Sequence, residues 1–166
     1  MYKIGDYVIY RQLNVCKIEG IETPSFEADR NKKYYKLRPA FDNKNDTTIY
    51  GPVGSNDGLH PVSDEKDVRR ALNELPKIKP SVYVAKKPAQ LSAYYQELLS
   101  SHNLKNYLSL IKEVALKEKT SAKRLSEIDV RFRNRAERLI CEEFAIVLDE
   151  TPDAIKSKIY DTMKTE

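Results

Sequence analysis

The sequence predicts an α+β chain, in which a small, strongly bent β-barrel over residues 1–62 is followed by an all-α helical bundle over residues 63–166. Three observations predict it. All five glycines fall at or before position 58 and none in 63–166, so the second part has the composition of uninterrupted helices. β-branched and aromatic runs separated by turn residues crowd the first part. Apolar residues at helical spacing, bounded by cap signals, fill the second.

The first strand is announced by Lys3-Ile4-Gly5-Asp6-Tyr7-Val8-Ile9-Tyr10, a Gly-Asp turn feeding an alternating apolar run. Asn14 to Glu22 is the second, with Gly20 placed as a bulge between Ile18 and Ile21. Pro24 to Lys32 reads as a polar hairpin connection. Lys33 to Arg38 is a third strand whose length Pro39 limits. The cluster Asp42 to Asp46 is a turn, and Thr47-Thr48-Ile49-Tyr50 a fourth strand closed by Gly51-Pro52. Four or five strands this short bury only a small core, which favours partial closure into a barrel of the Tudor/SH3 kind.

Ser63-Asp64-Glu65 starts the first helix, which runs through Val68, Ala71, Leu72 and Leu75 to Pro76. Residues 76–89 hold three prolines and four lysines around Val82-Tyr83-Val84 and read as a basic linker inside the helical domain. A helical pattern resumes at Gln90 with Leu91, Tyr94, Tyr95, Leu98 and Leu99, breaks near His102-Asn103, and continues through Leu104, Tyr107, Leu108, Ile111 and Val114. Ser126 caps the longest helix with Asp129 as its capping-box partner. Phe132, Ala136, Leu139, Ile140 and Val147 define its buried face. Thr151-Pro152-Asp153 opens a last helix carrying Ile155, Ile159 and Met163.

The net charge of +4 is modest, with 9 basic against 8 acidic residues in 1–62 and 20 against 17 in 63–166. Local excess is confined to the second part: Lys77, Lys79, Lys86 and Lys87 without an acid in 76–89, and seven bases against three acids in 119–138. Cys16 and Cys141 offer neither metal spacing nor a disulfide framework and read as small buried fillers, consistent with a reducing compartment. No apolar run reaches the roughly 18 residues that span a bilayer. His60 and His102 have no partner at catalytic or ligand spacing, and no glycine-rich phosphate loop is present. A soluble cytoplasmic protein without enzymatic activity, cofactor, metal, membrane or small-molecule substrate is expected.

Binding surfaces are the remaining candidates. Arg124, Arg131, Arg135 and Arg138 fall within a sector of about 60° at 100° per residue, beside the apolar face of the long helix. Such a stripe can track phosphates, or be a solvated face closed by the i, i+4 pairs Glu127–Arg131 and Arg138–Glu142. Lys86 and Lys87 in the linker are further phosphate candidates. Among the eleven tyrosines, Tyr50, Tyr83 and Tyr94 are those to inspect as exposed stacking platforms.

The opening Gly5-Asp6-Tyr7-Val8-Ile9-Tyr10 and the strand ending Ile18-Glu19-Gly20-Ile21-Glu22-Thr23 resemble the RNA-polymerase-interacting domain of the CarD/CdnL transcription regulators. Arg135-Ala136-Glu137-Arg138-Leu139-Ile140, then Glu142-Glu143-Phe144-Ala145 and Thr151-Pro152-Asp153-Ala154, resemble that family's terminal helix pair. The resemblance implies a Tudor-like domain that docks on the β subunit of bacterial RNA polymerase and a helical domain that touches promoter DNA at the upstream edge of the melted bubble. The same docking domain occurs in transcription-repair coupling factors, whose Walker motif and length this chain lacks.

The chain departs from the family pattern at four places. Arg11-Gln12-Leu13-Asn14 replaces a His-Gly pair, leaving Asn14 to take the left-handed conformation. Pro24 and Tyr50 stand at positions that are basic and polymerase-facing in some relatives. Pro88-Ala89-Gln90-Leu91-Ser92 matches the context of a tryptophan wedge, which makes Leu91 either a substitute wedge or the start of an apolar helix stripe. The resulting assignment places weak, sequence-independent DNA contacts on Lys86, Lys87, Leu91, Tyr94, Arg124, Arg131, Arg135 and Arg138. Polymerase docking is assigned to Thr47, Thr48, Ile49 and Tyr50 through strand addition. The alternative is an adaptor whose helical domain binds a protein.

Overall fold

The computed structural model describes residues 2–11, 14–41, 47–54, 58–120 and 124–164, which form two compact units, Met1–Val62 and Ser63–Glu166. The expected turn at 42–46 and the residues Gln12 and Leu13 lie outside the described residues.

The first unit is an antiparallel sheet of β1 (Tyr7–Tyr10), β2 (Asn14–Glu22), β3 (Tyr34–Pro39), β4 (Ile49–Pro52) and β5 (Leu59–Pro61), ordered β4-β3-β2-β1-β5. Gly5, at φ +96°, makes the entry turn, which Lys3 N–H closes by donating to Asp6 Oδ2 at 2.9 Å. Among the described residues of the β1–β2 connection, Arg11 takes the left-handed conformation at φ 47°, whereas Asn14 is already in β2, paired with Tyr10. The bulge falls where glycine marked it: Ile18 faces Leu37, yet Gly20 faces Lys36. Two residues of β2 thus oppose one of β3, and the slip returns Ile21 to the side of Tyr35.

Val8, Cys16, Ile18, Tyr35, Leu37 and Leu59 form the core, with Tyr2, Tyr10, Ile49 and Val53 packed around it. The expected barrel is a curled sheet instead, for β4 and β5 stay at opposite edges with no ladder between them among the described residues. Side chains fill the seam. A Cβ on Gly51 would stand 3.2 Å from Leu59 Cδ1, so glycine lets the two edges approach. β4 begins at Ile49, two residues later than expected, and runs through Gly51 and Pro52, which pair with Tyr35 and Tyr34, instead of ending before them.

The second unit holds α1 (Glu65–Glu74), α2 (Pro88–Ser100), α3 (Leu104–Thr120), α4 (Glu127–Leu148) and α5 (Pro152–Lys164), with a 3-10 turn at Leu75–Lys77. α4 is the hub, packing against the other four helices. Its start is fixed by the expected capping box, in which Asp129 N–H donates to Ser126 Oγ at 3.1 Å and Ser126 N–H to Asp129 Oδ2 at 3.3 Å. Its end is set by Asp149 at φ 54°. Phe132, Ala136, Leu139, Ile140 and Phe144 supply its buried face, whereas Val147 is half-buried. The break before α3 is made by His102 at φ 51°. Thr151 caps α5, accepting from Ala154 N–H at 3.1 Å, and Ile155 and Ile159 bury that helix. Lys112 is buried at 7% exposure, its ammonium donating to the carbonyls of Leu75, Pro76 and Ile78 at 2.8, 3.2 and 2.7 Å. One side chain thereby satisfies the turn that Pro76 leaves short of donors.

Candidate functional site

Among the described residues of the sheet unit, β4 is an edge strand paired on one side only. Val53 N–H donates to Lys33 O at 3.0 Å, which makes 33/53 a hydrogen-bonded pair and, by alternation, Tyr35/Gly51 and Leu37/Ile49 as well. The main-chain groups of Tyr50 therefore point away from β3. Pro52 sits at the other outward position, where its missing N–H breaks no ladder bond. The predicted docking residues separate accordingly. Thr47 and Thr48 are exposed and precede the strand, Ile49 pairs inward and packs on the core, and Tyr50 alone offers an outward N–H from within β4.

Beside this edge lies an aromatic patch that the sequence reading missed. Phe26 is 66% exposed and makes edge-to-face contacts with Tyr34 and Tyr50 at centroid distances of 5.7 and 5.6 Å. Tyr34 and Tyr50 occupy strand positions alternating with buried Tyr35 and Gly51, so their rings stand on the outer face of the sheet. Their hydroxyls donate to Glu27 Oε2 at 2.5 Å and Glu22 Oε1 at 3.0 Å, and these hydrogen bonds raise both phenol pKa values above the ordinary 10. The loop beneath is fixed: Arg30 Nη2 donates to the carbonyls of buried Pro24 and of Glu27 at 2.7 and 2.8 Å. A single phenylalanine in the otherwise polar 24–32 segment was the signal available in the sequence.

In the helical unit, Arg131 and Arg135 flank one ring. Their guanidinium carbons lie 5.3 and 5.4 Å from the centroid of Phe132, which is itself 4% exposed. The cation–π contacts hold two forks on one side of α4. Among the described residues neither arginine has a carboxylate within ion-pair distance; Arg135 Nη1 reaches Gln96 Oε1 at 3.5 Å. The expected Glu127–Arg131 pair is thus not formed. Arg138 does pair with Glu142, at 3.4 Å. Arg124 is exposed but precedes α4, because the capping box starts the helix at Glu127, so it does not extend the stripe.

The other predicted contacts divide. Lys86 and Lys87 are exposed at the start of α2. Gln96, the neighbour of Arg135, is nine residues beyond Lys87, or about 14 Å along the axis, so the lysines and the arginine pair form two separate cationic points. Leu91 is only 9% exposed and shares the buried face of α2 with Tyr95 and Leu99. That burial matches the apolar-stripe reading of Leu91 and not an exposed wedge: the Pro88 start of α2 sets the helical phase that turns Leu91 inward. Tyr94 is no free platform either. Its ring stacks on Tyr83 at 4.5 Å and 14°, and its hydroxyl donates to Glu113 Oε1 at 2.6 Å.

Cys16 and Cys141 are buried, and burial pushes the Cys141 thiol up to about 12, so it is inert as a nucleophile. No helix among the described residues is long and apolar enough to cross a membrane.

Residues 2–63 match the family model described as CarD-like/TRCF RID domain, which covers every described residue of the sheet unit. That family is a protein-interaction domain of RNA-polymerase-interacting transcription factors, not a catalytic one. No curated protein matches the chain.

Proposed function

We propose that this chain, whose residues 2–63 match the CarD-like/TRCF RID domain, is a transcription regulator that docks on the β subunit of RNA polymerase and brings its helical unit to promoter DNA. The docking surface is the β4 edge with the Phe26–Tyr34–Tyr50 patch. The observation that carries this reading is Phe26, a large apolar ring held two-thirds exposed by a braced loop beside a strand edge that has no partner among the described residues. Exposed aromatic anchors and open edges are what protein partners bind. At this surface Tyr50 acts through its ring and its outward N–H, which compensates for the absence of a basic side chain.

DNA contact falls to the cationic points, Arg131 with Arg135 and Lys86 with Lys87. None of the four reads a base in this proposal; they neutralise phosphates, so binding is sequence-independent and weak. Anchoring the sheet unit on polymerase raises the effective concentration of the helical unit near promoter DNA, and weak contacts then suffice.

Retardation of a promoter fragment over a range of salt tests this. Each phosphate contact contributes roughly 0.9 to the slope of log K against log salt. Neutralising Arg131, Arg135, Lys86 and Lys87 together to glutamine is expected to flatten the slope by about 3.6 and to reduce retardation both alone and with polymerase. An unaltered slope returns these residues to a solvated surface and favours the adaptor reading.

A further inference from the structure

Between the 3-10 turn and α2 the chain runs from Ser81 to Ala85 with neither turn nor bend. One edge of this stretch is occupied. Ser81 C=O lies 3.3 Å from the Tyr94 hydroxyl, which donates to Glu113 Oε1 at 2.6 Å, and Tyr83 N–H donates to Glu113 Oε2 at 3.2 Å. These inward contacts are two residues apart, the period of an extended strand. Stacking of Tyr83 on Tyr94 holds it further.

Val82 and Val84 take the alternate positions. Among the described residues, neither has a hydrogen-bond partner for its N–H or C=O, and their side chains are 41% and 84% exposed. The stretch is thus an irregular segment fastened along one edge to a buried carboxylate and, among the described residues, open along the other. Pro80 and Pro88 lack N–H groups and limit pairing to the residues between them.

The surrounding charge selects the partner. Lys77 and Lys79 precede the segment, Lys86 and Lys87 follow it, and residues 76–89 contain no acid. A second copy of the same segment would set lysine against lysine. Duplex DNA would use the lysines but leave the valines and the outward carbonyls unmatched. We infer that Ser81–Ala85 is a docking site for an extended protein segment with acidic ends, which adds as a strand to the open main-chain edge at Val82 and Val84. This site lies outside the polymerase-docking surface and stands independently of it.

The test uses the full chain, 15N-labelled, and a synthetic heptapeptide with a Val-Thr-Val centre and two aspartates at each end. Amide shifts are expected to concentrate at residues 82–84. Affinity is expected to fall at least tenfold when lysines replace the aspartates. It is expected to fall at least tenfold in Val84→Pro, which removes one outward N–H, alters no charge and leaves the melting temperature unchanged. The inference is overturned by an absence of shifts at 82–84 at millimolar peptide, by equal affinity for the acidic and basic peptides, or by full affinity in folded Val84→Pro. It is equally overturned if Val84→Pro weakens duplex DNA binding while peptide binding is untouched, which assigns the segment to nucleic acid.

Discussion

Asp129 serves α4 twice. Oδ2 accepts from Ser126 in the capping box, while Oδ1 accepts from the Tyr95 hydroxyl at 2.6 Å and from Lys117 Nζ at 3.1 Å. Burial pushes its carboxyl pKa up, but the bonds from Tyr95, Ser126 and Lys117 outweigh it and hold the group below the ordinary 3.8. Its stabilisation is therefore present above pH 3.8 and lost as pH falls through the lower folded value. Glu113 has the opposite sign. Burial raises it above 4.5 despite the bonds from Tyr94 and Tyr83, so its contribution falls as pH rises from 4.5 through the folded value. Asp129→Asn is expected to lose about 2–3 kcal/mol at neutral pH, with the loss shrinking toward pH 3. Glu113→Gln is expected to flatten the decline above pH 4.5. Denaturant titration from pH 3 to 7 checks both. The capping role was legible from the three-residue spacing of Ser126 and Asp129. The bond to Tyr95, 34 residues away, was not, because no local pattern encodes which tyrosine of the Tyr94-Tyr95 pair faces α4.

At the scale of elements, helical phase decided what spacing left open. Leu91 matched both a wedge and an apolar stripe until the start of α2 at Pro88 fixed it inward. Leu91→Ala is expected to cost about 2–4 kcal/mol, and Leu91→Trp to destabilise by overpacking. The lifetime of open promoter complexes per folded molecule should change in neither, and a longer lifetime for the tryptophan variant at unchanged melting temperature would contradict its burial. Strand boundaries behaved in the same way. Gly20 announced its bulge locally, whereas the extent of β4 follows from its register on β3, up to Tyr34↔Pro52, a pairing between residues that no periodicity links. Ladder parity then decides which backbone groups remain for a partner. Ile49→Pro would break a bond to β3 and damage the sheet; Tyr50→Pro removes an outward donor and leaves the ladder whole.

For the whole molecule, the order sheet then helices, and the change in composition near residue 62, were readable because glycine content and hydrophobic period both change there. The surfaces were less readable. Exposure is a property of the folded chain: Phe26 lay in a segment read as polar, Leu91 turned inward, and of four predicted arginines two share one ring. With polymerase docking proposed for the sheet unit and DNA contact for the helical unit, the two functions should be separable by mutation. The most direct measurement is binding of the chain to the immobilised polymerase β subunit, with Phe26→Ser, Tyr50→Pro and the double variant Arg131→Gln/Arg135→Gln compared with the parent. At least a tenfold loss is predicted for each of the first two, with parental melting temperature for Phe26→Ser and parental binding for the arginine variant. Full binding by folded Phe26→Ser and Tyr50→Pro, or a loss confined to the arginine variant, would contradict the assignment.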